Sequence, residues 1–282
     1  MFRLIVENED GGQLELTGHP NYAVTSIKGL TPVDADITTN KISGLDGERF
    51  NSARLSYRNI VVTIYLLGNI EQSRITLYSF FKIKKPCTLY YSNDTRSVKT
   101  LGYVESFDCD LFERGQKAQI SIICPDPYLY DTAEIRSNFS VVESLFEFPF
   151  SIDSSGISFS ELSKNPEVTL ENQGDIDTGV IIECSFSGPV ENLRFSNKTT
   201  LDTMSINYAF QDGDYLKIDT NAGSKSVILT RDGEQIDLIN SVPITSYWLT
   251  LDQGSNTFSY ESDGGSEYIS LVIYTQDKYI GV

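Results

Sequence analysis

The sequence has 282 residues, 40% hydrophobic and 11% aromatic, with a formal net charge of −17 at pH 7. That length suits two domains of roughly 130 to 150 residues, and the apolar content excludes a disordered or fibrous chain. Residues 1–130 carry 14 Lys+Arg against 15 Asp+Glu, whereas residues 131–282 carry 8 against 24. So abrupt a shift argues for two domains with different surroundings. Neither half has the basic stripe that phosphate neutralisation requires, so no specific nucleic-acid binding is expected.

At the start, Met1–Val6 is too short, and too soon interrupted by Glu7 and Asp10, for a signal peptide. No apolar run approaches the ~20 residues of a bilayer span, so the expectation is a soluble chain without membrane insertion. His19, the single histidine, lies between Gly18 and Pro20 in a turn setting. Four Asp-Gly pairs, at 46–47, 212–213, 232–233 and 263–264, offer the positive φ of tight hairpins. Between them run segments rich in Val, Ile, Thr, Tyr and Phe, such as Ile60–Leu67 and Gln119–Cys124, an all-β pattern.

After Asp46-Gly47, Ala53, Leu55 and Tyr57 share one face and Arg54, Ser56 and Arg58 the other. Beyond Asn59 the apolar set becomes Ile60, Val62, Ile64 and Leu66. A period of two cannot reverse without an inserted residue, so a β-bulge is expected near Arg58-Asn59, with the preceding part projecting as an arm. One helix is predicted over 70–82 from the spacing of Ile70, Arg74, Tyr78 and Phe81, with Ile75 and Leu77 beside them. Asn69 caps it with Gln72 as capping-box partner, Lys82, Lys84 and Lys85 suit its C-terminal end, and Pro86 stops it. The run Cys124-Pro125-Asp126-Pro127-Tyr128-Leu129-Tyr130 withdraws two backbone donors and ends the first domain. The expected organisation is therefore a domain over 1–130, a linker over 131–147 and a second domain over 148–282.

Little in the chain suits catalysis. One histidine removes most nucleophile and metal schemes, and the acidic residues fall mostly in turns beside glycine. Asp175-Ile176-Asp177 and Gln211-Asp212-Gly213-Asp214 offer oxygens without the twelve-residue loop that makes a calcium signal specific. The cysteines, Cys87, Cys109, Cys124 and Cys184, lack metal-ligand spacing and read as reduced thiols. No cofactor, metal site or catalytic residue is expected. Tyr247 and Trp248 could stack on a sugar, which defines the main alternative, a carbohydrate- or receptor-binding module. A wall hydrolase is a third.

The motifs in order resemble one family. Gly18 with Tyr22-Ala23-Val24, Leu45-Asp46-Gly47 with Arg54 and Arg58, the helix, and the Cys124–Tyr130 signature form its first half. Phe148-Pro149-Phe150, Asn172-Gln173-Gly174-Asp175 with Thr178-Gly179, Trp248–Leu251, Gly254-Ser255-Asn256 and Tyr279–Val282 form its second. Over nearly its full length the chain resembles the distal tail proteins (Dit) of long-tailed phages, the siphovirus tail component family. The resemblance implies a mainly β fold: an N-terminal tail-tube-like β-sandwich with one helix and a protruding hairpin, and a C-terminal galectin-like β-sandwich. It implies a structural virion protein at the tail tip, made in the host bacterial cytoplasm. Six copies would form a ring with a central DNA conduit, joining the tail tube protein to tail-tip or baseplate proteins. A cyclic ring needs two complementary surfaces. The hairpin is the expected contact, through Leu45, Asp46, Gly47, Phe50, Arg54 and Arg58.

Overall fold

The computed structural model describes residues 2–44, 46–112, 115–143, 161–164 and 167–282, the side chains of 140–143 and 161–164 excepted. Leu45 and the Phe148-Pro149-Phe150 motif lie outside them. The chain forms two compact units, Met1–Thr132 with Lys278–Val282, and Ala133–Asp277. Within the linker expected over 131–147, Ile135–Asn138 and Ser140–Glu143 are strands of the second unit, and the five residues from Lys278 belong to the first. Among the described residues no helix is long and apolar enough to cross a membrane.

The first unit comprises β1 (Arg3–Asn8), β2 (Gln13–Glu15), β3 (Tyr22–Lys28), β4 (Ala35–Lys41), β5 (Glu48–Leu55), β6 (Arg58–Leu66), α1 (Ile70–Phe80), β7 (Pro86–Ser92), β8 (Ser97–Cys109), β9 (Lys117–Cys124) and β10 (Leu129–Asp131). Its main sheet runs β2-β1-β7-β8-β9-β6-β3; β10 pairs with β8, and the strand Lys278–Tyr279 pairs with β10. Alternate residues of β6 and β9, among them Ile60, Val62, Ile64, Ala118, Ile120 and Ile122, are inaccessible to solvent and share one core with Leu77 and Phe81. The side-chain period of two puts them there.

The helix follows its predicted span to within two residues, and Asn69 caps it by accepting from the Gln72 amide at 3.3 Å. Its buried stripe differs from the expected one. Ser73 and Leu77 are buried, while Ile75 and Tyr78 are exposed and Arg74 donates to Gln116. Lys82 and Lys85 pair with Glu9, and Lys82 also with Asp10, rather than serving only the helix dipole.

The second unit comprises β11 (Ile135–Asn138), β12 (Ser140–Glu143), β13 (Glu161–Lys164), β14 (Glu167–Asn172), β15 (Thr178–Gly179), β16 (Ile181–Phe186), β17 (Val190–Asn197), β18 (Asp202–Phe210), β19 (Tyr215–Asp219), β20 (Ser226–Arg231), β21 (Glu234–Asp237), β22 (Thr250–Leu251), β23 (Gly254–Gly264) and β24 (Ile269–Thr275). A six-stranded sheet, β11-β24-β16-β19-β20-β21, and a four-stranded sheet, β14-β23-β17-β18, enclose one core. This is a β-sandwich. Asp232-Gly233 turns β20 into β21 with both φ values positive, as expected. Asp263-Gly264 does not turn: it ends β23, and Gly265 takes the left-handed conformation.

The second-half motifs are explained by burial. Asn197 and Asn256 are inaccessible to solvent, and Asn172 nearly so. Asn197 donates to the Thr250 carbonyl at 2.8 Å and to Asn256 at 3.1 Å; Asn256 donates to Asp252; Asn172 donates to Leu251 and Ile176. These amides satisfy backbone groups of β22 and its flanks, with which, among the described residues, only the two residues of β15 pair as a strand. Asp214, considered above for calcium, is instead held by Arg231 through bonds of 2.8 and 2.6 Å and by the Gln211 amide.

Candidate functional site

β4 and β5 pair only with each other, and every described residue of both is exposed. Opposed residues in an antiparallel pair point to the same side. The register sets Ala35 against Leu55, Ile37 against Ala53 and Thr39 against Phe50. It slips by one residue between Thr38 and Thr39, and that bulge at Asn51 keeps Phe50 in phase with Ala53 and Leu55. One face of the hairpin is therefore apolar, with Ile37 64% and Phe50 62% exposed and Leu55 partly so. The other carries Asp36 opposite Arg54, 3.4 Å apart, then Thr38 with Ser52 and Asn40 with Arg49.

Of the predicted contact residues, Asp46 and Gly47 lie at the exposed turn, Gly47 at φ 88°, and Phe50 and Arg54 lie on opposite faces. Arg58 departs from expectation. It is the first residue of β6, in phase with Ile60, Val62, Ile64 and Leu66, and is fully buried. No bulge interrupts a continuous strand there. The chain breaks at Ser56-Tyr57 and passes from one sheet to another, so Arg54 and Arg58 do not share a face. Ile37, which the sequence reading passed over, is marked by its alternation with Ala35, across from Leu55 and Ala53.

The Arg58 guanidinium donates only to backbone carbonyls: Pro127 at 2.9 Å, Thr31 and Ile280 at 2.8 Å each, and Gly29. Its planar fork suits several acceptors held in fixed positions. Burial holds its pKa below the usual arginine range, opposed by nearby Cys124 and Asp126. Gly29 is at φ 86°, and a Cβ there would stand 2.0 Å from the Asn59 carbonyl oxygen, so only glycine brings the two backbones together.

The remaining candidates are accounted for locally. His19 stacks on Tyr22 and accepts from the Asn21 amide. Trp248 packs half-buried against the second core, with the Lys225 ammonium 5.3 Å from its ring centroid, while Tyr247 is exposed. The four cysteines are free thiols; burial pushes Cys87 up to about 12 and raises Cys184 further. Among the described residues no group of three or more His, Cys, Asp or Glu could hold a metal.

Residues 9–124 match the family model of a phage tail protein RIFT-related domain, and residues 173–277 that of the siphovirus-type tail component, C-terminal domain. No curated protein matches the sequence. The solved structure of the SPP1 Dit (gp 19.1) protein, described as a paradigm of hub adsorption apparatus in Gram-positive infecting phages, is 16% identical over 99% of each chain, with a TM-score of 0.66. A chain of the phage P2 baseplate in its activated conformation with Ca is 11% identical over 100% of each chain, with a TM-score of 0.55. One from the same baseplate with Sr is 12% identical over 98% of each, at 0.51. At these identities the likeness is one of fold. Two successive β units, each matching a tail-component domain in the same order, define a structural protein of the phage tail. The chain belongs to the siphovirus distal tail protein family.

Proposed function

We propose that six copies of this chain close a ring at the tail tip. The ring would join the tail tube protein to tail-tip or baseplate proteins, with a central passage for DNA. The observation that carries this is the β4–β5 hairpin, whose apolar face has no partner among the described residues. Burying Ile37, Phe50 and Leu55 on a neighbouring copy would contribute about 1.5–3 kcal/mol for each side chain. An arm on one side of the subunit and its receiving surface on the other form the heterologous contact that cyclic symmetry requires.

The near-neutral first half keeps like charge off such a seam, while residues 133–277 of the acidic second half lie in the other unit. In this reading the second unit is galectin-like and presents itself to other tail proteins. The chain performs no catalysis. Native mass and negative-stain images of the purified protein test the proposal. A closed ring of six that is lost when residues 40–52 are replaced by a short turn is the expected result. Rings that persist without the hairpin tip would remove its assigned role.

A further inference from the structure

The two ends of the hairpin meet at its base, where Ser56 donates to the Asp34 carbonyl at 3.2 Å. Between β3 and β4, the consecutive carbonyls of Gly29, Leu30 and Thr31 are all taken by groups from elsewhere in the unit. Arg58 takes Gly29 and Thr31, and the Val282 amide takes Leu30 at 3.1 Å. Gly281 lies flat against this segment: a Cβ on it would stand 3.0 Å from Pro32 Cδ and 3.1 Å from the Leu30 oxygen. Arg58 also takes the Ile280 carbonyl, and Arg96 that of Gly281. Tyr279 pairs with Leu129, and its hydroxyl donates to Asp131 at 3.0 Å.

We infer that Arg58 and the segment Lys278–Val282 are positioning elements for the hairpin, and that the first unit becomes competent for assembly only when this segment is seated. The inference rests on the hairpin being the ring contact. Among the described residues β4 and β5 dock on no other strand, so their direction is set by the base. That base is clamped from two sides, by Arg58 at the start of β6 and by Ile280–Val282. The seating segment follows residues 133–277 in synthesis. A chain whose second unit is unfinished therefore lacks part of the clamp, and such chains would stay out of the ring. An arginine bonded to carbonyls suits this role: its charge is permanent, so the clamp responds to the presence of its acceptors rather than to pH.

The test uses the full chain with Gly281→Val, which crowds the Leu30 carbonyl and Pro32, beside the unaltered protein. Hydrogen exchange is followed over residues 29–58 and, as an internal control, over the buried strands β6 and β9. The expected result is exchange at the hairpin base faster by about tenfold, with β6 and β9 unchanged, and about tenfold more protein needed for ring formation. A chain ending at Asp277 should behave likewise, and a synthetic peptide of residues 276–282 should restore its assembly. If that chain fails to fold, Gly281→Val alone decides. Equal assembly of parent and Gly281→Val overturns the inference, whatever the exchange. If the unaltered protein forms no ring, the ring proposal fails separately, and unchanged exchange at the hairpin base then overturns the positioning role.

Discussion

Arg58 Nη2 lies 2.8 Å from the carbonyl oxygen of Ile280, a hydrogen bond joining residues 222 apart in sequence. A guanidinium that serves carbonyls of Gly29, Thr31, Pro127 and Ile280 is a cross-brace between three segments distant in sequence. Replacing it by methionine leaves four backbone acceptors short of a donor. Arg58→Met should cost about 3–5 kcal/mol in urea denaturation of the first unit. Arg58→Lys should recover less than half of that, because an ammonium cannot reach four fixed acceptors. A loss below 1 kcal/mol for the methionine variant would show that the brace is not holding the unit together.

Exposure separates assembly from stability at the hairpin. Ile37 and Phe50 are both more than 60% exposed, so the double change Ile37→Ser and Phe50→Ser should alter monomer stability by less than about 0.5 kcal/mol. The same change should abolish the high-mass species in native mass measurement. Arg54→Ala lies on the opposite face, where its pair with Asp36 is exposed, and should affect assembly far less. Equal loss from both variants would mean that the apolar face is not the contact.

In the second unit, Asn256→Leu keeps the approximate volume but strips donors from the Asp252 and Gly254 carbonyls and an acceptor from Asn197. The expected cost is about 2–4 kcal/mol, seen as a lower thermal midpoint of this unit by calorimetry. Asn197→Leu and Asn256→Leu share one network, so the double variant should lose less than the sum of the singles. Additive losses would mean that the two amides act independently.

Acid should weaken the second unit through Asp214. The Arg231 guanidinium beside it holds its carboxyl below the usual aspartate range. A depressed folded pKa contributes stability above the unfolded value of about 3.9, and that contribution is lost as pH falls through the folded value. Thermal midpoints measured from pH 6 to pH 2 should therefore fall below about pH 4 in the parent. Asp214→Asn should start lower at pH 6 and show a flatter curve, converging with the parent in acid. A constant gap across that range would remove the linkage.

How much of this was legible in the sequence depends on the range of the forces involved. The helix and its Asn69 cap, the hairpin at Asp232-Gly233 and the strand-rich pattern arise from neighbours within a few residues, so local order in the sequence determined them. Arg58 was half legible. Its parity with Ile60, Val62, Ile64 and Leu66 places it inside, but reading the strand as continuous from Ala53 put it with Arg54. Only the break at Ser56-Tyr57, where one sheet gives way to another, decides between the two phases.

The apolar face of the hairpin was hidden for a similar reason. Phe50 has the wrong parity to join Ala53 and Leu55 until the bulge at Asn51 restores it, and a bulge is a property of paired strands. What the sequence determined by itself was the succession of elements, their turn chemistry, and the order of motifs that marks the family. Tertiary structure alone decided that Lys278–Val282 completes the first unit, that three asparagines far apart in sequence support β22, and that Arg58 braces the hairpin base. Arg58, Asn172 and Asn197 each meet a backbone partner distant in sequence. Hydrogen bonding demands that the buried group be satisfied, but the chain's order does not say by whom.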